Sequence, residues 1–258
     1  MSVPGDRTPG DDRAGAPQLH VAIVGAGRLG RSLDALLPAR GVRVTLVRRG
    51  DGIPEAADAV WLCVRDAALG PLAAALAPWE SARATPRPVL HASGARGTDV
   101  LAPLPCRGVL HPLMSFPGPE IGLPDVTGVG ARVEGDPVAV VMAHTLAAAL
   151  GLRVVEGVDA TRWHAAACLA SGHLAAAFLA ATEVLEGAGL DAESARAVLG
   201  PLARESLRGA IETGPAALTG PAVRGDVTTE ARHRAVLGDE DRAVYDVLAG
   251  RIRRWAAR

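Results

Sequence analysis

Apolar and polar positions alternate in blocks along the first half of this chain. The run from Leu19 to Val24 is long enough for a buried parallel strand, and the segment from Arg28 to Arg40 continues as a helix. Gly41 to Val47 predicts a second strand, Ala59 to Val64 a third, and a helical Ala/Leu segment runs on to Ala77. Pro88 to His91 and Arg107 to His111 predict a fourth and a fifth strand, with Pro112 expected to stop further pairing. From Pro137 the pattern changes: Val138 to Leu150 reads as a helix, Arg153 to Val155 as a short last strand, and the remainder as helices over 159–186, 191–213, 227–237 and 240–257. Alternation of this kind predicts an α/β chain, a doubly wound Rossmann domain followed by an all-helical C-terminal domain. The expected divisions are a disordered tail over 1–17, the doubly wound domain over 18–156 and the helical domain over 157–258.

The first strand closes on Gly25, Gly27 and Gly30, in G-x-G-x-x-G spacing. In such a turn the first glycine allows the tight bend, the second lets a pyrophosphate approach the backbone, and the third lets helix pack closely on strand. The free N–H groups at the start of the helix, with its dipole, then favour phosphate. At the end of the second strand an NAD-selective site usually carries Asp or Glu; this chain has Arg48 and Arg49. Two planar guanidiniums suit a 2′-phosphate, which points to NADP(H), with a solvated basic turn as the plainer alternative.

Composition narrows the chemistry further. The 258 residues carry a net charge of -1, and nothing marks a nucleic-acid binder. All 27 basic residues are Arg, and neither Lys nor Asn occurs. No lysine can therefore form a Schiff base or act as a general base, and no asparagine can orient a substrate. Cys63, Cys106 and Cys168 are far apart in apolar or Pro-flanked settings, as in buried thiols rather than a disulfide framework, and no metal site is expected. The tail lacks the apolar core of a signal peptide, and a cytoplasmic location is expected. The apolar stretch Ala165 to Ala181 is interrupted by Ser171, Gly172 and His173; it reads as a buried helix that falls short of a membrane span.

Candidate chemistry gathers at the carboxyl ends of the strands, where ligands bind in doubly wound sheets. His91 ends the fourth strand and leads into Ser93-Gly94, and His111 ends the fifth. Either could exchange a proton with a carbonyl reduced by hydride, or merely hydrogen-bond a loop. On the long helix, His164, Cys168 and Ser171 follow at intervals of four and three and share a face, whereas His173 lies roughly 180° around at about 100° per residue. The Gly- and Pro-rich loop from Gly214 to Asp226 offers the Thr219 hydroxyl and the Arg224 fork, while Asp226 is placed to cap the next helix.

These residues together resemble the Rossmann-like proteins with a C-terminal DUF2520 domain, of the superfamily of 6-phosphogluconate dehydrogenase, pyrroline-5-carboxylate reductase and the F420-dependent NADP oxidoreductases. The resemblance rests on the GAGRLG turn, on Val64-Arg65-Asp66, His91-Ala92-Ser93-Gly94 and the run from His111 to Phe116, on Trp163-His164, and on Thr219-Gly220-Pro221 leading into Arg224-Gly225-Asp226. It implies a nucleotide-binding domain followed by a helical domain that often dimerises, with oxidoreductase activity. Where family members often carry Ser-Asn-Tyr, this chain has Ser171-Gly172-His173, and the Lys and Asn of better-known relatives are absent.

The expected activity is hydride transfer between NADP(H) and a small, anionic carbonyl or imine substrate in the interdomain cleft. Cofactor contacts fall to Gly25, Gly27, Arg28, Leu29, Gly30, Arg48, Arg49, Val64, Arg65, Asp66, His91, Ser93 and Gly94. His164, His111 and Ser171 are the catalytic candidates; Thr219 and Arg224 are the substrate contacts. F420 as hydride donor rests on superfamily analogy alone. The alternative is a sensor or scaffold that binds NADP(H) without turnover.

Overall fold

The computed structural model describes residues 18–258, so the tail expected over 1–17 lies outside the described residues. The chain divides into two compact units, the first ending at Ala167 and the second running Cys168–Arg258. The division falls within the long apolar helix.

The first unit is built on one seven-stranded sheet. Its strands are β1 (His20–Val24), β2 (Arg43–Val47), β3 (Ala59–Leu62), β4 (Val89–His91), β5 (Arg107–Pro112), β6 (Gly130–Gly135) and β7 (Arg153–Val155), in the order β2-β1-β3-β4-β5-β6-β7. All neighbours run parallel except β5 and β6. The antiparallel β6 has no counterpart in the pattern read from the sequence. It also carries pairing past the end expected for β5, because Pro112 sits opposite Ala131 at the last register position.

Period-two alternation divides the core between the two faces of the sheet. Val21, Ile23 and Trp61 pack with Leu33 of α1 (Arg28–Leu36) and Leu146 of α3 (Pro137–Leu150). Ala22, Val60 and Leu62 pack with Leu69 and Ala73 of α2 (Asp66–Ser81) and with Leu101. The chain leaves β1 for β2 on one side and returns to β3 on the other, so the order reverses between β1 and β3; their carboxyl ends flank the crevice such sheets use for ligands.

The helix α4 (Ala160–Cys168) passes through a π-turn, Leu169–His173, into α5 (Leu174–Glu186). The face shared by His164, Cys168 and Ser171 was reckoned for an unbroken α-helix, and that arithmetic ends where the π-turn begins. Two further expectations for this stretch are corrected. Within the 27 residues of Ala160–Glu186, the most apolar 18-residue window has a mean hydropathy of 1.5, so the helix is long and apolar enough by length and composition to cross a membrane. It is also not a buried helix: only 6% of its most apolar window is buried. The repeated alanines and leucines that make it apolar have little other side-chain mass from this one chain to pack against.

The second unit continues with α6 (Ala192–Thr213), α7 (Pro221–Arg224), α8 (Val227–Val236) and α9 (Asp239–Ala256). Asp191 caps α6 by accepting from the Ser194 N–H at 2.9 Å, as its place in the sequence predicted. Its most enclosed polar group is the Glu230 carboxylate, 2% exposed, which accepts from Arg253 with both oxygens at 2.7 Å and from Arg234 at 3.0 Å.

Candidate functional site

At the end of β1 the three glycines occupy distinct environments. Gly25 has φ +114°, and a Cβ there would come within 2.5 Å of the Cys63 carbonyl oxygen at the end of β3. A Cβ on Gly30 would collide with the Gly25 carbonyl, so turn and helix fit only without side chains. Gly27 differs: a Cβ would meet nothing within 4 Å, and as N-cap of α1 it makes no side-chain capping bond. No acidic residue occupies the first turn of α1. Open space before uncapped N–H groups fits a pyrophosphate on this turn.

Beside the turn lies a cleft of about 1320 Å³, bordered by Gly25, Ala26, Val47, Val64 and the exposed Arg48 and Arg49. The Asp51 carboxylate accepts from the Arg48 backbone N–H at 2.9 Å and holds the β2 exit in a tight turn. Trp79, 77% exposed, and Arg83 also border this cleft. The sequence reading missed both, since their approach to β2 depends on how α2 lies across the sheet. Beneath them Glu80 and Arg87, 1% and 7% exposed, form an ion pair. Arg87 also donates to the carbonyls of Pro54 at 2.8 Å and Ala57 at 3.3 Å.

Farther along the carboxyl edge, the two strand-end histidines have different tasks. His91 is fully buried; its Nδ1 accepts from the Ser93 N–H at 3.1 Å, so its Nε2–H donates to the Gly97 carbonyl at 3.0 Å. Both ring nitrogens thus serve the 93–97 loop, in which the Ser93 hydroxyl accepts from the Ala95 N–H at 3.3 Å. Burial, followed by the positive charge of Arg132, lowers the His91 pKa against the raising effect of the Gly97 bond.

His111 is only partly buried, and its Nδ1 lies 2.9 Å from the Trp163 indole Nε1. The two rings meet edge to face at 6.4 Å. Its Nε2 and Cε1 would lie 2.8 Å from a Cβ on Gly94, and the Cδ2 of His164 2.9 Å from the same point. Gly94 is therefore the close contact that gathers His111 and His164. Burial first, then Arg132, pushes the His111 pKa down to about 4.

Arg132 faces His111 across the antiparallel pair and is 1% exposed. It donates to Glu134 and to the Arg96 carbonyl, while its Nε is buried without a partner. Sequence reasoning missed it because β6 went unrecognised. Ala131 and Val133 on either side, between Gly130 and Gly135, were the available signal of alternation. Arg65 is the N-cap of α2, and Asp66, its first residue, lies 3.9 Å from Arg96.

Arg28 and Leu29 begin α1, Arg28 exposed and Leu29 packed against the core. Ser171, Thr219 and Arg224 belong to the second unit and are exposed; Ser171 lies in the π-turn, and Arg224 ends α7. Asp226 caps α8, accepting from the Thr229 N–H at 3.0 Å.

Comparison with protein families matches residues 47–117 to a Rossmann-like domain and residues 129–252 to the Domain of unknown function (DUF2520). A comparison with curated protein sequences finds no match. Among solved structures, a Bacteroides fragilis protein assigned as an NADP oxidoreductase superposes with a TM-score of 0.77 at 21% identity, over 92% of this chain and 98% of that one. A Thermotoga maritima protein gives 0.67 at 20% identity, over 92% and 98%. Plasmodium falciparum pyrroline carboxylate reductase with NADP bound gives 0.56 at 9% identity, over 94% and 100%. These likenesses show a shared fold.

Proposed function

From a chain that joins a Rossmann-like domain to a DUF2520 domain, we propose an NADP(H)-dependent oxidoreductase acting on a small, anionic carbonyl or imine substrate. The observation that carries this reading is the glycine turn. Gly27 stands open before the uncapped start of α1, and Arg48 and Arg49 border the adjoining cleft. The backbone N–H groups after Gly27 would hold the pyrophosphate, and Arg48, with Arg49, the 2′-phosphate. The reduced cofactor, when bound, supplies a hydride. His164 supplies the proton that a reduced carbonyl needs, its ring lying with that of His111 against Gly94. Arg224 takes the substrate's anionic group through its guanidinium fork. NADP in the Plasmodium reductase supports the cofactor assignment by likeness of fold.

We also infer that the working form is a homodimer joined through the helical unit. Among its described residues the buried apolar ones are only Ala195, Ala222 and Ala249, while Leu169, Val198, Leu202 and Ile211 are each more than 60% exposed. Apolar area of this extent is what a second copy covers. The three free thiols fit a reducing, cytoplasmic setting.

The test is transfer of deuteride from 4-deuterated NADPH to a panel of small oxo acids and cyclic imino acids. The proposal expects labelled product from at least one. Tight NADPH binding with no transfer to any acceptor would favour a sensor that binds without turnover.

A further inference from the structure

An indole Nε1–H can only donate, and in this protein it points at an imidazole nitrogen. Trp163 Nε1 lies 2.9 Å from His111 Nδ1, so Nδ1 must present its lone pair and the ring proton must sit on Nε2. A doubly protonated His111 would set two N–H groups against each other at that distance, so the bond also excludes the imidazolium. Trp163 is itself held: its ring reaches Gly130, where a Cβ would lie 3.6 Å away, and Gly130 begins β6. The Nε2 edge of His111 faces Gly94, beside His164. Behind His111, the buried Arg132 opposes any further positive charge.

We propose that Trp163 is a positioning residue that fixes the Nε2–H tautomer of His111, making His111 a hydrogen-bond donor to an oxygen lone pair and selecting a carbonyl substrate over a protonated imine. This rests on the reductase reading above and narrows its substrate class. A carbonyl oxygen, or a carboxylate beside it, can accept from Nε2–H as negative charge develops on the oxygen during reduction. A protonated imine has no lone pair on nitrogen, and its N–H would face another N–H. No bond to hydrogen breaks at His111: it polarises, and the proton that completes the reduction comes from His164.

The tautomer can be read in the full-length protein without cofactor or substrate. With histidine labelled in 15N, long-range 1H–15N correlation spectra at neutral pH separate pyridine-like from pyrrole-like ring nitrogens, and His111→Gln identifies the signals. Wild type is expected to show Nδ1 pyridine-like and Nε2 pyrrole-like. In Trp163→Phe, which keeps a ring but removes the donor, both shifts move toward the average of the two tautomers. A pyrrole-like Nδ1 in wild type, or unchanged shifts in a folded Trp163→Phe, would overturn the proposal. A second arm supplies NADPH with 2-oxo acids or with cyclic imino acids. Turnover of oxo acids that falls at least tenfold in kcat in Trp163→Phe supports the assignment; turnover confined to imines overturns the selectivity. Failure of NADPH to bind would count against the reductase reading and would leave the tautomer measurement intact.

Discussion

Replacing Glu80 by Gln tests how the cleft beside the glycine turn is braced. Glu80 and Arg87 are almost wholly removed from water, and Arg87 ties the Glu80 carboxylate to the carbonyls of Pro54 and Ala57 on the loop after β2. Gln retains one acceptor but removes the negative charge, leaving the guanidinium uncompensated; breaking such a pair costs about 3–5 kcal/mol. Arg87→Met is expected to cost more, because it leaves the buried carboxylate with only Arg83, 3.8 Å away, and unpairs the two carbonyls, each worth about 1–3 kcal/mol. Glu80→Gln combined with Arg87→Met restores charge balance, so its loss should be smaller than the sum of the single losses, a coupling of about 1–3 kcal/mol. Urea denaturation followed by tryptophan fluorescence measures this, with Trp61 buried in the same unit and Trp79 beside the pair. For a unit of this size the Glu80→Gln loss corresponds to roughly 6–20 °C in Tm. A loss below about 1 kcal/mol for Glu80→Gln, or additive losses in the double variant, would refute the reasoning.

Acidification tests the environment of His111, which faces Arg132, His164, His91 and Asp66. Its pKa falls from 6.5 to about 4 on folding, so between these values the unfolded chain binds more protons and stability drops as pH is lowered. The integrated loss is about 3 kcal/mol at 1.36 kcal/mol per unit, and denaturation from pH 7 to 4 should show that component abolished in His111→Gln. Gly94→Ala places a methyl within 2.9 Å of both the His111 and His164 rings. It should cost about 1–3 kcal/mol by overpacking and displace the His111 ring signals in the labelled spectra.

Much of this arrangement could be read in the chain because local rules carried it. The glycine spacing, the exit of β4 at His91, and the Asp191 and Asp226 caps each depend on residues close in sequence. Features set by tertiary placement were not visible. Gly130–Gly135 reads as a loop because glycines bound it and Arg132 stands at its centre; only pairing with β5 makes it a strand and Arg132 a buried cation. The π-turn at Leu169–His173 has no counterpart in a 3.6-residue period, so face arithmetic fails beyond Cys168. The indole of Trp163 meets His111 from 52 positions away, a contact that neither residue's neighbours announce. The apolar run through α4 and α5 reads as core, because hydropathy registers that a surface is to be covered but not by what.

The account stands most directly on the preference of the glycine turn and its two arginines for one cofactor. Calorimetric titration of the full chain with NADPH, NADH and F420 in parallel measures it. Charge-assisted bonds of about 1.5–3 kcal/mol to the 2′-phosphate predict that NADPH binds roughly 10- to 150-fold more tightly than NADH. Arg48→Ala should remove most of that margin, and F420 should bind more weakly than NADPH. Equal affinities for NADPH and NADH, or no binding of either, would contradict the account.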